Sequence, residues 1–242
     1  DKLNALTFEA YADLRDLLVE VPHRDDTRVV VLRGEGRAFC SGGDVDEIIG
    51  ATLEMRPDEL LAFTRMTGEV VRTMRECPAP IVAVVHGTAA GAGSVLALAS
   101  DFRVMARSAK FAFLFTKVGL AGGDMGAAYL LPRLVGLGRA TQLLVLGDSL
   151  PADRAEQWGL VSELVEDGAA DAAAEALARR LAAGPWQAYS LTKSLLTREL
   201  DMPLGSAVEL EAMTQALLMK GEDYREFHAA FTGKRDPEWR GR

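Results

Sequence analysis

Little in this chain suits metal, redox or nucleic-acid chemistry. Its 242 residues include only two cysteines and three histidines. Cys40 and Cys77 form no C-x-x-C pair and lie apart from any histidine cluster. That spacing argues against a metal centre and against a disulfide framework. The two thiols read as small apolar core fillers in a reducing, cytoplasmic setting. Basic residues are outnumbered: 27 Lys and Arg face 35 Asp and Glu, a net charge of −8. Such a surface repels phosphate backbones, so nucleic acid is not an expected partner. The chain has no apolar run of about 18 residues, so no membrane span is expected. The opening Asp1-Lys2-Leu3-Asn4 shows no basic-then-apolar signal pattern. It reads as the inside of a motif, so further residues are expected upstream.

Aromatics are also few, at 7%, whereas apolar residues make up 49%. Glycine and alanine are plentiful. This composition predicts one substantial core of close-packed helices and strands, an α/β enzyme rather than a β-sandwich. Short β-branched runs occur at Arg28–Arg33 and Pro80–Val85, with shorter candidates at Phe102–Met105 and Phe111–Phe113. Longer apolar-periodic segments lie at Asp58–Arg75 and Gly93–Ser100. That alternation predicts ββα or βαβ units around a buried sheet. From Gly126 onward nearly everything reads as helix, including Asp171–Ala183, a segment starting at Pro185, and Pro203–Met219. The texture changes near Gly184 without a flexible linker. The expected division is a core over 1–184 and a helical region over 185–242.

Two glycine-rich stretches each follow a strand and precede a helix. They are Arg37–Asp44 (RAFCSGGD) and His86–Ser94 (HGTAAGAGS). Such a junction leaves backbone N–H groups free and adds the positive end of the helix dipole. Neither stretch is a dinucleotide fingerprint, a P-loop or a G-x-S-x-G elbow, because the required third glycine, Gly-Lys-Ser/Thr and final glycine are missing. Glycine alone would account for one tight turn. Two of them favour a paired site. Two converging amides form an oxyanion hole, worth about 3–4 kcal/mol per donor to a developing oxyanion.

These residues resemble the crotonase family, the enoyl-CoA hydratases and isomerases. Lys2-Leu3-Asn4-Ala5-Leu6 is similar to its K-x-N-A-L opening. Gly36–Asp44 is similar to A-F-x-A-G-x-D, and His86–Gly93 to N-G-x-A-x-G-G-G. Val118-Gly119-Leu120, Leu131–Gly136, and Leu146–Asp148 with Ala155–Val161 resemble its later pieces. The resemblance implies a spiral of ββα units with a C-terminal helical region that serves in trimers or hexamers. It implies an acyl-CoA thioester substrate, with coenzyme A arriving as part of that substrate and no tightly bound cofactor. By motif position the oxyanion amides belong to Gly43 and Ala92, where Ala92 replaces a common glycine. Lys2, Ala38, Ser41, Gly43, Asp44 and Val45 border the coenzyme. Lys234, within Phe231–Arg235, meets its phosphates, often across a subunit boundary; a solvated charged end would explain it equally.

The resemblance also locates two glutamates that serve hydration. Here those positions hold Val95 and Phe115, which cannot titrate. With Gly91 they are expected in the substrate pocket. Standard two-glutamate hydration is therefore not expected. Asp124, in Gly122–Gly126, is the replacement candidate, since dienoyl-CoA isomerases and dihydroxynaphthoyl-CoA synthases carry an aspartate in the equivalent turn. A helix cap is the plainer role for it. Asp44 reads as a cap as well, His86 as a backbone-satisfying residue and Glu47 as a minor candidate. Strand alternation at Phe115 would place Thr116 and Lys117 on another face. The expected function is enolate-stabilising chemistry on a CoA thioester, as lyase or isomerase. Thioester hydrolysis or decarboxylation, and a non-catalytic CoA-binding assembly module, remain the alternatives.

Overall fold

The computed structural model describes residues 2–241. Helix α1 (Phe8–Glu20) opens the chain, capped by Thr7, whose hydroxyl accepts from the Ala10 amide at 3.1 Å. Strand β1 (Val30–Arg33) leads through the first glycine turn to a π-helical turn (Val45–Ile49), α2 (Gly50–Glu54) and α3 (Pro57–Glu76). Pro57 starts α3 where a missing N–H costs nothing, and Glu59 accepts from the Arg56 amide at 2.8 Å. Next come β2 (Ile81–Val85), β3 (Thr88–Ala90) and α4 (Ala92–Ala99). The third pass is β4 (Phe102–Ala106), β5 (Lys110–Ala112), a 3₁₀ turn at Leu114–Val118 and α5 (Ala127–Val135).

Each pass therefore runs strand, short inner strand, helix. The outer strands form a parallel sheet in the order β1-β2-β4-β7, where β7 is Glu163–Val165. β2 lies in its middle and all five of its residues are buried, as a continuous apolar run in a covered parallel sheet requires. The inner layer pairs Leu6 with Gly43, Cys40 with Ala89, and β3 with β5, all parallel. β6 (Ser149–Pro151) closes that layer antiparallel to β5. Helices α6 (Leu137–Leu146), α7 (Ala152–Gln157) and α8 (Ala170–Ala182) complete the core. This is the expected α/β spiral of ββα units.

Three helices follow: α9 (Trp186–Arg198), α10 (Leu204–Leu218) and α11 (Glu222–Gly233). α9 packs on α3, and Lys193 anchors it through Asp101 at 2.7 Å and the Ala79 carbonyl at 3.0 Å. α10 packs on α9, and α11 makes no extensive contact with the spiral.

Two expectations need correction. The region beyond Gly126 contains β6 and β7, strands of three residues each, too short to show a period of two. Phe115 lies in a 3₁₀ turn, so strand alternation does not sort it from Thr116 and Lys117. No helix among the described residues is long and apolar enough to cross a membrane.

Candidate active site at the two glycine turns

The first turn is braced by the chain's opening segment. Leu3 and Asn4 take left-handed φ values of 53° and 54°, a conformation asparagine tolerates better than most residues. From there Asn4 Nδ2 donates to the carbonyls of Glu35 (2.9 Å) and Ala38 (2.8 Å). The Leu6 amide donates to Gly42 O at 2.8 Å, and the Asp44 amide to Leu6 O at 2.9 Å. Ser41 donates its amide to Leu3 O (3.0 Å) and its hydroxyl to Lys2 O (3.1 Å).

The second turn threads onto the first. Cys40 N donates to Thr88 O at 3.1 Å, and Ala90 N to Cys40 O at 2.8 Å. The contact is close enough to demand glycine. A Cβ on Gly93 would stand 2.5 Å from Cys40 O, and one on Gly87 would stand 2.1 Å from Arg37 O. A Cβ on Gly42 would lie 3.7 Å from the Ala92 nitrogen, so the two turns touch where Gly43 and Ala92 follow. The amides on either side are engaged: Gly42 on Cys40 Sγ, Asp44 on Leu6 O, and Gly91 on Ala112 O at 2.8 Å. The amides of Gly43 and Ala92 have no acceptor among the described residues. Ala92 opens α4, whose N-cap Gly91 supplies no side chain. Free amides at the positive end of a helix suit a developing negative charge. Ser94 Oγ donates to Ala89 O at 2.6 Å and accepts from Ala112 N at 3.2 Å, locking the third pass to the second.

Around these amides the expected residues divide. Val95 is fully buried in α4, and Phe115 is buried beneath the 3₁₀ turn. Ala38 is buried, Gly91 and Ser41 are half-buried, and Val45 is exposed. Asp44 is buried and caps the π-helical turn, accepting from the Asp46 and Glu47 amides at 3.0 Å each. Lys2 Nζ sits 2.7 Å from it. That hydrogen bond, with the Glu47 amide, holds the Asp44 carboxyl below the usual carboxylate range. The cap reading of Asp44 therefore holds. Glu47 accepts from the Phe8 amide at 3.2 Å, and His86 Nε2 contacts Gly36 O at 3.1 Å. Lys234 ends α11 in a left-handed conformation and is exposed.

Asp124 is placed differently. Helix α5 takes Gly126, not Asp124, as its N-cap and has no side-chain cap. The turn is tight: a Cβ on Gly122 would meet Leu144 O at 2.2 Å, and one on Gly123 would meet Ala128 Cβ at 2.8 Å. Asp124 is half-buried and has no ion pair among the described residues. Burial pushes its carboxyl up, opposed only by the Met125 amide. Tyr11, which the sequence reading passed over, is the missed neighbour. It is 4% exposed, packs edge-on against Phe63, and its phenol is raised by burial and then by the charges of Cys40 and Asp124. The Tyr11 phenol is thus within electrostatic range of both Cys40 in the first turn and Asp124.

The enoyl-CoA hydratase/isomerase family model matches residues 1–242. The chain belongs to this family. It is 36% identical to the 1,2-epoxyphenylacetyl-CoA isomerase of Escherichia coli K12, over 100% of this chain and 92% of that one. It is 31% identical to the (E)-benzylidenesuccinyl-CoA hydratase of Thauera aromatica, over 100% and 92%. A solved Streptomyces coelicolor A3(2) protein assigned to the enoyl-CoA hydratases shares 70% identity and a TM-score of 0.99, covering 100% of this chain and 88% of that one. This crotonase-superfamily membership accounts for the order of the turns. No cluster of three or more His, Cys, Asp or Glu among the described residues could hold a metal ion.

Proposed function

We propose that this family member binds an acyl-CoA thioester with its carbonyl oxygen between the Gly43 and Ala92 amides. Both donors strengthen as the carbonyl becomes an enolate, so they lower the barrier rather than merely bind. Asp124 then moves the proton. A carboxyl raised by desolvation is a stronger base than an ordinary aspartate, so it can accept a proton from an acidified α-carbon and return it to another carbon. Val95 and Phe115 supply an apolar wall and no second acid/base, which favours isomerisation over two-glutamate hydration. The relatives' names include both an isomerase and a hydratase, so the family alone does not choose. Coenzyme A enters with the substrate, beside Lys2, Ala38, Ser41 and Val45.

The observation that carries this reading is the contact of the two glycine turns, which leaves the Gly43 and Ala92 amides unengaged where the turns touch. The proton shuttle is assigned to Asp124, a half-buried carboxyl that neither caps a helix nor pairs with a cation among the described residues. The test is a short enoyl-CoA series followed by thioester absorbance and product mass. An isomer of unchanged mass is expected. Gain of water, loss of carbon dioxide or release of free CoA each selects another chemistry, and binding without turnover selects the assembly module.

The same reading extends to assembly as a homotrimer or homohexamer. Leu204, Val208, Met213 and Leu217 on α10 and Phe231 on α11 are exposed. Val45, Leu53 and Leu61, in the segment that follows the first turn, are exposed as well. A second copy would cover both sets and bring its Lys234 toward the coenzyme phosphates. Light scattering that returns a monomer mass defeats this extension.

A further inference from the structure

A cavity of about 630 Å³ lies at the far end of α4 from Ala92. It sits between α5, α8 and α9, and its walls include Leu98, Leu130, Leu177 and Leu196. It holds neither Gly43, Ala92 nor Asp124. Its charges are uneven. Arg75, Arg103, Arg133, Arg180 and Lys193 line it, against one carboxylate, Asp101.

Asp101 is already spent. It accepts from Lys193 at 2.7 Å, Arg75 at 3.1 Å and the Ile81 amide at 2.8 Å. Arg133 is held at the rim by Asp201 at 3.1 Å. Arg103 meets no carboxylate. Its Nε donates to Leu160 O at 2.6 Å and its Nη1 to the carbonyls of Ala97 and Ser100, while Nη2 has no acceptor among the described residues. The Nε of Arg75 is buried without a partner. Arg180 has no ion pair among the described residues. The α4 C-terminus contributes only about half a negative charge. Burial, the leading cause for each, lowers Arg103 to about 10 and pulls Lys193 below its ordinary range. Burial thus works against these cations, and an anion beside them would reverse that.

We propose that this cavity binds an amphipathic organic anion, a carboxylate head on an apolar tail. The head meets the unengaged Nη2 of Arg103 and the guanidinium of Arg180, and the tail lies along the leucines. The mostly apolar wall with a few convergent polar groups is the usual make-up of a small-molecule site. A fully hydrated anion such as free phosphate would leave the leucine wall uncovered. The site is separate from the thioester site, so it stands whether or not that reading does.

The experiment is calorimetric titration of the full chain, in its solution assembly, with sodium decanoate and with decan-1-ol. One saturable decanoate site per chain is expected, with decanol at least tenfold weaker. Leu196→Glu places a carboxylate at the mouth, where Leu196 is 63% exposed. Arg180→Glu reverses an exposed rim charge. Each should weaken decanoate at least tenfold without lowering Tm. Ala92→Pro, at the other end of α4, should leave decanoate binding unchanged. The proposal is overturned by no saturable binding at millimolar decanoate, by equal binding of the alcohol, or by undiminished binding in both charge variants. Loss of binding in Ala92→Pro also overturns it, because that result assigns decanoate to the acyl site.

Discussion

The two ends of helix α4 are treated in opposite ways. At its C-terminus guanidinium groups meet the final carbonyls: Arg103 those of Ala97, Leu98 and Ser100, Arg75 that of Ala99. At its N-terminus Gly91 offers no cap and the Ala92 amide has no acceptor among the described residues. Helix ends inside a protein are ordinarily satisfied. An unmet end beside a met one, on a buried eight-residue helix, is the arrangement that the proposed thioester site requires. The chain invests in capping where structure is at stake and omits it at the end where we propose a thioester oxygen is received.

The largest expected effect comes from the capped end. Arg103→Met strips several buried carbonyls of their donor, and each costs about 1–3 kcal/mol. A net loss of about 3–5 kcal/mol is expected, read as a fall in the denaturation midpoint. A loss under 1 kcal/mol would show that the guanidinium is incidental. Next is Asp124→Asn, which keeps the shape of the turn and removes the titrating group. Turnover should drop about 10²–10⁴-fold while coenzyme A binding survives. Full activity in that variant rules out the acid/base assignment. Ala92→Pro is the matched probe of the uncapped end. Proline is accommodated at the first helical position, so the helix should remain while the donor is lost. About 10²–10³-fold in kcat is expected to go, with near-native Tm. Unchanged kcat would mean that the amide stabilises nothing.

How much of this was visible in the chain follows from what each signal depends on. β2 was legible because Ile81–Val85 is an unbroken apolar run, and α3 because its apolar positions repeat over five turns. β6 and β7 were not, since three residues carry no period and only their neighbours make them strands. The glycine turns were legible as turns, and their mutual contact came with the fold, when Gly93 met Cys40. Asp124 could be proposed, but its cap role could be set aside only once Gly126 was seen to start α5. Tyr11 gave no signal: one tyrosine in a helical pattern reads as core, and only the fold puts its phenol within electrostatic range of Cys40 and Asp124. The cations at 75, 103, 180 and 193 are scattered in sequence and line one cavity only because α8 packs on the sheet and α9 on α3.

The smallest expected effect separates the two helix ends by sign. Removing Arg103 should cost stability, whereas removing the Asp124 charge should add it. Burial raises the folded-state carboxyl of Asp124 above its unfolded value. Such a group contributes its stability when protonated, below the unfolded pKa, and that contribution is lost as pH rises through the folded value. At neutral pH the ionised carboxylate is thus a net burden on the fold. Asp124→Asn should therefore raise Tm by about 1–3 °C at pH 7. The gain should shrink as pH falls into the carboxylate range, where the wild-type group is neutral as well. Thermal melts of both proteins across that range decide the matter. An Asn variant less stable at pH 7, or one whose advantage grows on acidification, would mean that the Asp124 carboxylate is held by favourable contacts. It would then be a structural anchor and not a group kept ready for proton transfer.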